Sequence, residues 1–229
     1  MGVIISIILA AGFGYFLGSL NFSIIVVKLM KGRDIRDMGS RNAGLTNTLR
    51  CAGKTCALLT LIGDLTKGVI AVALSRLCCG LLDAGLSPGN DTHYIGYIAG
   101  IFAVLGHIFP MYYGFKGGKG VLVGVSTFLI VDWQVFFALL AIFIVILSIT
   151  KYVSLASIIS AVYCPIATLL MSLVVDGNGF GRSMLYMLLS LPIAGVVIWM
   201  HRSNIERLRS GTENKFTLMT RGLLDKERR

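Results

Sequence analysis

The chain has 229 residues, 55% of them hydrophobic and 14% charged, with a net charge of +10 and a mean hydropathy of +0.81. Soluble domains carry about 25% charged residues, so the composition excludes a water-soluble globular protein and, with it, nucleic acid as the partner of the basic charge. The excess of Lys and Arg reads instead as loop charge on a membrane protein.

A bilayer core roughly 30 Å thick needs about 20 apolar residues per helical crossing. In chain order, crossings are predicted over about 3–27, 52–75, 94–114, 119–132, 134–150, 153–175 and 183–200, followed by a basic cytoplasmic tail, 202–229. Asp64 and Lys67 interrupt the second, and the fourth is short. The two most basic stretches, 31–54 and the tail, should both face the cytoplasm, so an even number of crossings separates them, which requires counting 119–132. Of the 21 Lys and Arg, all but Lys67, Arg76 and Arg182 then fall on one side, while Asp83, Asp91, Asp132 and Asp176 lie opposite. The fold class expected is an all-α integral membrane protein: one polytopic domain over 1–229, seven transmembrane helices, N-terminus outside and C-terminus cytoplasmic. The first segment lacks the basic start and cleavage site of a signal peptide. Met1-Gly2 with Ser6 matches only a loose acylation pattern. Cys51, Cys56, Cys78, Cys79 and Cys164 sit in or beside apolar runs without metal-ligand spacing, so neither a disulfide scaffold nor a metal site is expected.

The unusual polar residues gather on one predicted side. The first loop, Met38 to Arg50, packs Gly39, Ser40, Asn42, Gly44, Thr46, Asn47 and Arg50 into a dozen positions. Glycines let backbone amides approach an anion, hydroxyls and amides donate, and Arg adds a bidentate fork; a solvated turn capping the next helix through Thr46 or Asn47 is the plainer alternative. The second, Phe115-Lys116-Gly117-Gly118-Lys119-Gly120, opens a helix as a phosphate cradle does. It is not a nucleotide P-loop, because Val121 follows Gly120; simple positive-inside anchoring is its alternative. The third, His201 to Arg207, could turn His201, Asn204 and Leu208 to one helix face, and Ser154 and Ser157 add hydroxyls at the same level. Within the spans, Asp64 and Lys67 stand at i, i+3 and read as a structural ion pair, with Lys67 in possible reach of an anionic site. Ser19 and Asn21 read as interhelical hydrogen bonders and His107 as a core histidine.

Five motifs in order carry a resemblance: Gly39-Ser-x-Asn42-x-Gly44-x-Thr46-Asn47-x-x-Arg50, Gly106-His-x-Phe-Pro110, Phe115-Lys-Gly-Gly-Lys-Gly-Val121, Tyr152-x-Ser-Leu-x-Ser157 and His201-Arg-x-Asn204-Ile-x-Arg-Leu208. Together they resemble the bacterial acyl-phosphate:glycerol-3-phosphate acyltransferase family from Gly18-Ser19 to about Leu208. The resemblance implies transfer of a fatty acyl group from acyl phosphate to the 1-hydroxyl of glycerol 3-phosphate, giving lysophosphatidic acid and inorganic phosphate in phospholipid biosynthesis. It implies a multi-pass enzyme of the bacterial cytoplasmic (inner) membrane, its active site on the cytoplasmic face, using no cofactor, no metal and no coenzyme A thioester. The soluble-site acyltransferases carry a His-x4-Asp pair that is absent here; His201-x4-Glu206 is the nearest approach, and Glu206 reads as surface charge.

The partners implied are glycerol 3-phosphate, acyl phosphate and membrane lipids; no protein partner is inferable. By the family pattern, Ser40 and His201 are the catalytic residues, Ser40 positioning the attacking hydroxyl or the acyl phosphate and His201 orienting it or shuttling a proton. Arg50, Lys116, Gly117, Gly118, Lys119 and Asn204 would hold phosphate, and Asn42, Gly44, Thr46 and Asn47 would shape the first loop. An acyl phosphate is already activated, so positioning and charge neutralisation suffice, and direct transfer ranks above a covalent acyl-Ser40. Arg41 stands where the family usually has Gly and Leu45 where Ala is usual; Leu122 and Gly124 are lesser departures. The alternatives are a transporter of a phosphorylated anion, which should carry a midplane site, and an inactive homologue.

Overall fold

The computed structural model describes residues 2–82 and 92–216. Among them there is no strand, and nine α-helices follow in order: α1 Gly2–Gly18, α2 Phe22–Lys31, α3 Leu45–Leu82, α4 His93–Ile108, α5 Val121–Val131, α6 Trp133–Thr150, α7 Val153–Leu170, α8 Phe180–Met200 and α9 Arg202–Arg209. A π-helical turn, Met171–Val175, continues α7. Six stretches are long and apolar enough to cross a membrane: Gly2–Lys31, Leu45–Leu81, His93–Tyr113, Trp133–Thr150, Val153–Val175 and Phe180–Met200. Large apolar side chains point outward from them, with Ile149 75% and Val174 77% exposed. Water would not tolerate so much contiguous apolar surface; lipid tails would.

The expected first crossing is two helices. Asn21 sits at the break in extended backbone, and its Oδ1 accepts from Ile24 N at 3.2 Å, capping α2. α3 begins seven residues before the expected 52 and runs past 75 to 82. Within it Gly53 takes φ +88°, a left-handed conformation that glycine adopts without penalty. The start is therefore a short separate helical segment following the first loop, and the apolar run beyond Gly53 is the part that the sequence betrays.

The expected span 119–132 is an 11-residue helix, roughly 16 Å long at ~1.5 Å per residue. Its shortness is made up by the preceding loop. Gly117 N donates to Ile108 O at 3.0 Å and Gly118 N to His107 O at 3.1 Å, so residues 115–120 fold back along the last turn of α4. α5 then starts at the level of Val104 and Ile108 and runs antiparallel to α4, passing Gly100 with Thr127 and ending at Gly96 with Val131.

Small residues let α1 lie against α4, as is usual where helices pack in lipid. A Cβ at Gly14 would stand 2.4 Å from Ala99 O, one at Gly18 2.2 Å from Ala103 O and one at Gly106 2.4 Å from Tyr15 O. This contact places the Ser19–Asn21 break beside the end of α4, where Met111 N donates to Ser19 Oγ. The core runs along α4, with Tyr97, Phe128 and Ile95 fully buried.

Candidate active site

Hydrogen bonds bring the three polar loops to one end of the bundle. The first loop is organised by Asn47, 2% exposed on the first turn of α3. Its Oδ1 accepts from Ser40 N at 3.0 Å, while Nδ2 faces Met38 O and Asn42 O at 3.0 Å and Ile35 O at 3.3 Å. Every polar atom of Asn47 is used in folding the loop, so it shapes the site from beneath. Asn21 Nδ2 donates to Ala43 O at 3.3 Å, and Thr48 Oγ1 bonds Gly44 O and Ser23 Oγ. The Asn42 amide lies over Gly44, where a Cβ would come within 2.9 Å of its Nδ2. Ser40 and Arg41 are exposed; Thr46 and Arg50 are half-buried at the mouth.

Arg41 adopts φ +57°, a left-handed conformation costing a non-glycine residue roughly 1–2 kcal/mol. The position is the one where glycine is usual. Arg41→Gly should therefore leave Tm unchanged or slightly raised, since relief of strain outweighs or matches the added unfolded-state freedom. Arg41→Val should lower Tm. Thermal unfolding of the purified protein decides it, and a lower Tm for the glycine variant would contradict the assignment of strain.

The second loop meets the first at Gly118, which packs between Ala43 O and the ring of His107. At the rim, Arg36 Nη1 donates to Tyr113 O at 2.6 Å and Lys116 O at 3.1 Å, while Asp34 pairs with its Nη2 at 2.7 Å. That guanidinium holds the Asp34 carboxyl below the usual carboxylate range. The amides of Gly117 and Gly118 are already spent on α4, so these glycines serve close packing. The donors at α5 are those of its first turn, which has no side-chain cap and is entered through Gly120 at φ +81°. Lys116 is exposed; Lys119 is half-buried.

The third loop meets the second at Lys119, whose Nζ donates to Asn204 Oδ1. Asn204 Nδ2 donates to Glu213 Oε1 at 2.7 Å. The same oxygen accepts from Ser154 Oγ at 2.7 Å, and Oε2 pairs with Arg207 Nε at 2.7 Å. Glu213 thus ties α7, α9 and Lys119 together, and these bonds lower its pKa against the effect of burial. The expected basic tail opens as the helix α9 and then returns to the bundle, with Phe216 N donating to Lys151 O at 2.7 Å. Residues 217–229 lie outside the described residues. Glu206 is exposed, as surface charge should be.

Burial, reinforced by the Arg207 charge, lowers the Lys119 pKa to about 8; Glu213 opposes this. His201, 3% exposed, has Nδ1 2.7 Å from Val197 O. A carbonyl only accepts, so Nδ1 carries the proton and Nε2 keeps its lone pair. Burial, helped by the Lys119 charge, lowers its pKa to about 4. The residues expected at the site therefore meet in a chain: the first loop touches the second at Ala43–Gly118, and the second touches the third at Lys119–Asn204. No hydrogen bond joins Ser40 to His201 among the described residues.

Residues 8–211 match the glycerol-3-phosphate acyltransferase family. The chain belongs to that family. A glycerol-3-phosphate acyltransferase of Coxiella burnetii (strain RSA 493 / Nine Mile phase I) is 41% identical over 95% of this chain and 100% of its own length. One of Clostridioides difficile (strain 630) is 40% identical over 93% and 96%, and one of Shouchella clausii is 43% identical over 93% and 97%. The crystal structure of PlsY (YgiH), an integral membrane glycerol 3-phosphate acyltransferase, in its glycerol 3-phosphate form superposes with TM-score 0.75 and 31% identity, covering 93% of this chain and 96% of that one.

Within this family member, Arg36 and Glu213 are residues that sequence patterns pass over, while Asn21, read as an interhelical hydrogen bonder, instead caps α2 and holds the first loop. Arg36 looked like one more orienting charge, and Glu213 lies beyond the last motif. Replacing Glu213 by Gln removes the charge that supports the Lys119 cation and the pair with Arg207. A hydrogen bond to a charged group contributes about 1.5–3 kcal/mol, so Glu213→Gln should lower Tm by several degrees. It should also move the alkaline fall of activity to lower pH, and an unmoved pH profile would separate Glu213 from Lys119.

Proposed function

We propose that this chain transfers a fatty acyl group from acyl phosphate to the 1-hydroxyl of glycerol 3-phosphate, releasing lysophosphatidic acid and inorganic phosphate in the opening step of phospholipid synthesis. One observation carries this reading: in a member of this family, Lys119 joins the second and third of three donor-rich loops, one residue after Gly118 meets the first, beside the uncapped first turn of α5. Such a junction neutralises phosphate, which both substrates carry.

The positive-inside rule supports placing the polar end in the cytoplasm, in a bacterial inner membrane. On this reading the broken α1–α2 pair makes one crossing. α5 makes a short one, entered through the loop folded along α4, so seven crossings leave the N-terminus outside. The apolar acyl chain then reaches the site from the bilayer.

In the reaction the 1-hydroxyl oxygen bonds to the acyl carbon, the bond from that carbon to the phosphate oxygen breaks, and its electron pair leaves with phosphate. Lys119, Lys116 and Arg50 hold phosphate oxygens, and Ser40 positions the hydroxyl at the mouth. Asn204 holds Lys119 in place. With a pKa of about 4, His201 is a weaker base than the departing phosphate: even a phosphate monoester dianion takes up a proton at about pH 6, and the phosphate that leaves carries one more negative charge. The hydroxyl proton therefore goes to the departing phosphate, and His201 Nε2 orients the hydroxyl as an acceptor. A transfer of this kind needs no covalent acyl-Ser40.

Purified protein in micelles should release phosphate from palmitoyl phosphate only when glycerol 3-phosphate is added. Release without the acceptor, or none with it, would overturn the reading. His201 is neutral across pH 6–7, so the rate should show no histidine limb there.

A further inference from the structure

Beneath the two phosphate-facing loops lies a buried polar cluster that the reaction leaves without a role. Asp64 and Lys67 on α3 and His107 on α4 are 1%, 3% and 4% exposed. The ammonium of Lys67 donates to Leu20 O at 2.7 Å, lies 2.9 Å from His107 Nδ1 and forms an ion pair with Asp64 Oδ1 at 2.8 Å. An ammonium cannot accept, so Nδ1 is the acceptor and the ring of His107 carries its proton on Nε2. This tautomer is opposite to that of His201.

A buried ion pair contributes little stability compared with apolar side chains of the same volume, so packing alone does not account for this one. Its neighbours do. On one side Leu20 precedes Asn21, whose amide holds Ala43 O of the first loop at 3.3 Å. On the other, His107 O accepts from Gly118 N at 3.1 Å, and a Cβ at Gly118 would stand 2.1 Å from His107 Nε2 and 2.5 Å from Ala43 O. The cluster therefore touches the second loop directly at Gly118, one residue before Lys119, and reaches the first through Leu20 and Asn21.

We infer that Asp64, Lys67 and His107 are positioning residues that set the depth and mutual register of the two loops, and so the place at which Lys119 meets phosphate. The inference rests on the acyl-transfer reading. Lys67 itself does not reach substrate: it is 3% exposed, and Leu20 O, His107 Nδ1 and the Asp64 carboxylate surround its ammonium. It acts by locking the His107 ring against Leu20 and Asp64, so that Gly118 rests on a fixed edge.

The test uses full-length protein in micelles with two variants, His107→Gln and the charge-neutral double Asp64→Asn/Lys67→Met. The KM for glycerol 3-phosphate should rise at least fivefold in each relative to wild type. Folded variants with unchanged KM for both substrates, whatever their Tm, would overturn the positioning role and leave a packing pair. Because either variant can fail to fold, the wild-type protein labelled with 15N-histidine supplies a second measurement. One of its three histidines should show the Nε2–H tautomer, be lost in His107→Gln if that variant folds, and shift when glycerol 3-phosphate or inorganic phosphate is added. A proton on Nδ1 in the ring assigned to His107, or an Nε2 signal of that ring insensitive to both phosphates, contradicts the inference. Wild-type protein without turnover would sink the acyl-transfer reading, while the inorganic phosphate titration would still decide the positioning claim.

Discussion

Lys119→Ala should lower kcat/KM by about 100-fold or more. Each charge-assisted hydrogen bond to phosphate is worth about 1.5–3 kcal/mol, and every ~1.4 kcal/mol is a factor of ten, so one lost cation making two such bonds suffices. The same residue sets the alkaline limit. Its pKa of about 8 lies below the ordinary lysine value because the side chain is buried beside Arg207. On the proposed role, the phosphate-binding ammonium is therefore present below pH 8 and lost as pH rises through it. In wild type, kcat/KM should fall above about pH 8 with the loss of one proton, and the substrate KM should carry the change. Lys119→Arg keeps a charge that does not titrate in this range, so whatever rate it retains should stay level past pH 9. Steady-state kinetics between pH 6 and 9.5 read both effects. An alanine variant within threefold of wild type would remove Lys119 from the site.

Gly118→Ala should be almost as damaging, for a steric reason. The added methyl would stand 2.1 Å from His107 Nε2 and 2.5 Å from Ala43 O, and neither group is the free end of a flexible chain. The two loops must separate, carrying Lys119 with them. A loss of at least 50-fold in kcat/KM is expected, with a lower Tm. Gly195→Ala on α8, where a Cβ meets nothing within 4 Å, should retain activity and provides the control. If Gly118→Ala is as active as that control, the junction does not constrain the reaction.

The sequence made the long apolar helices legible because lipid demands about 20 apolar residues wherever a helix crosses, and few other pressures act on that pattern. It misplaced the start of α3 because residues 45–52 are polar at the bundle end, and Gly53 hides the joint. It registered 119–132 as short but could not supply the reason, since the backbone pairing of Gly117 and Gly118 with the end of α4 leaves no composition signal. Lys119, Asn204 and His201 were legible as candidates because donors and cations crowd there among apolar helices, and the structure brings Lys119 and Asn204 together. Their division of labour was not: Asn204 faces Lys119 and Glu213, and Asn47 spends its whole amide on loop backbone. Glu213 was missed because a lone carboxylate in a basic tail has no periodicity or spacing to mark it. Only the return of the chain from α9 to Ser154 and Lys151 gives it partners.

The measurement that bears most directly on the central claim is product formation by the purified protein with two acyl donors, palmitoyl phosphate and palmitoyl-coenzyme A, each with labelled glycerol 3-phosphate. The account predicts labelled lysophosphatidic acid from the acyl phosphate alone, one inorganic phosphate released per acyl group transferred. Equal product from the thioester, or labelled glycerol 3-phosphate crossing a liposome membrane without being acylated, would contradict it.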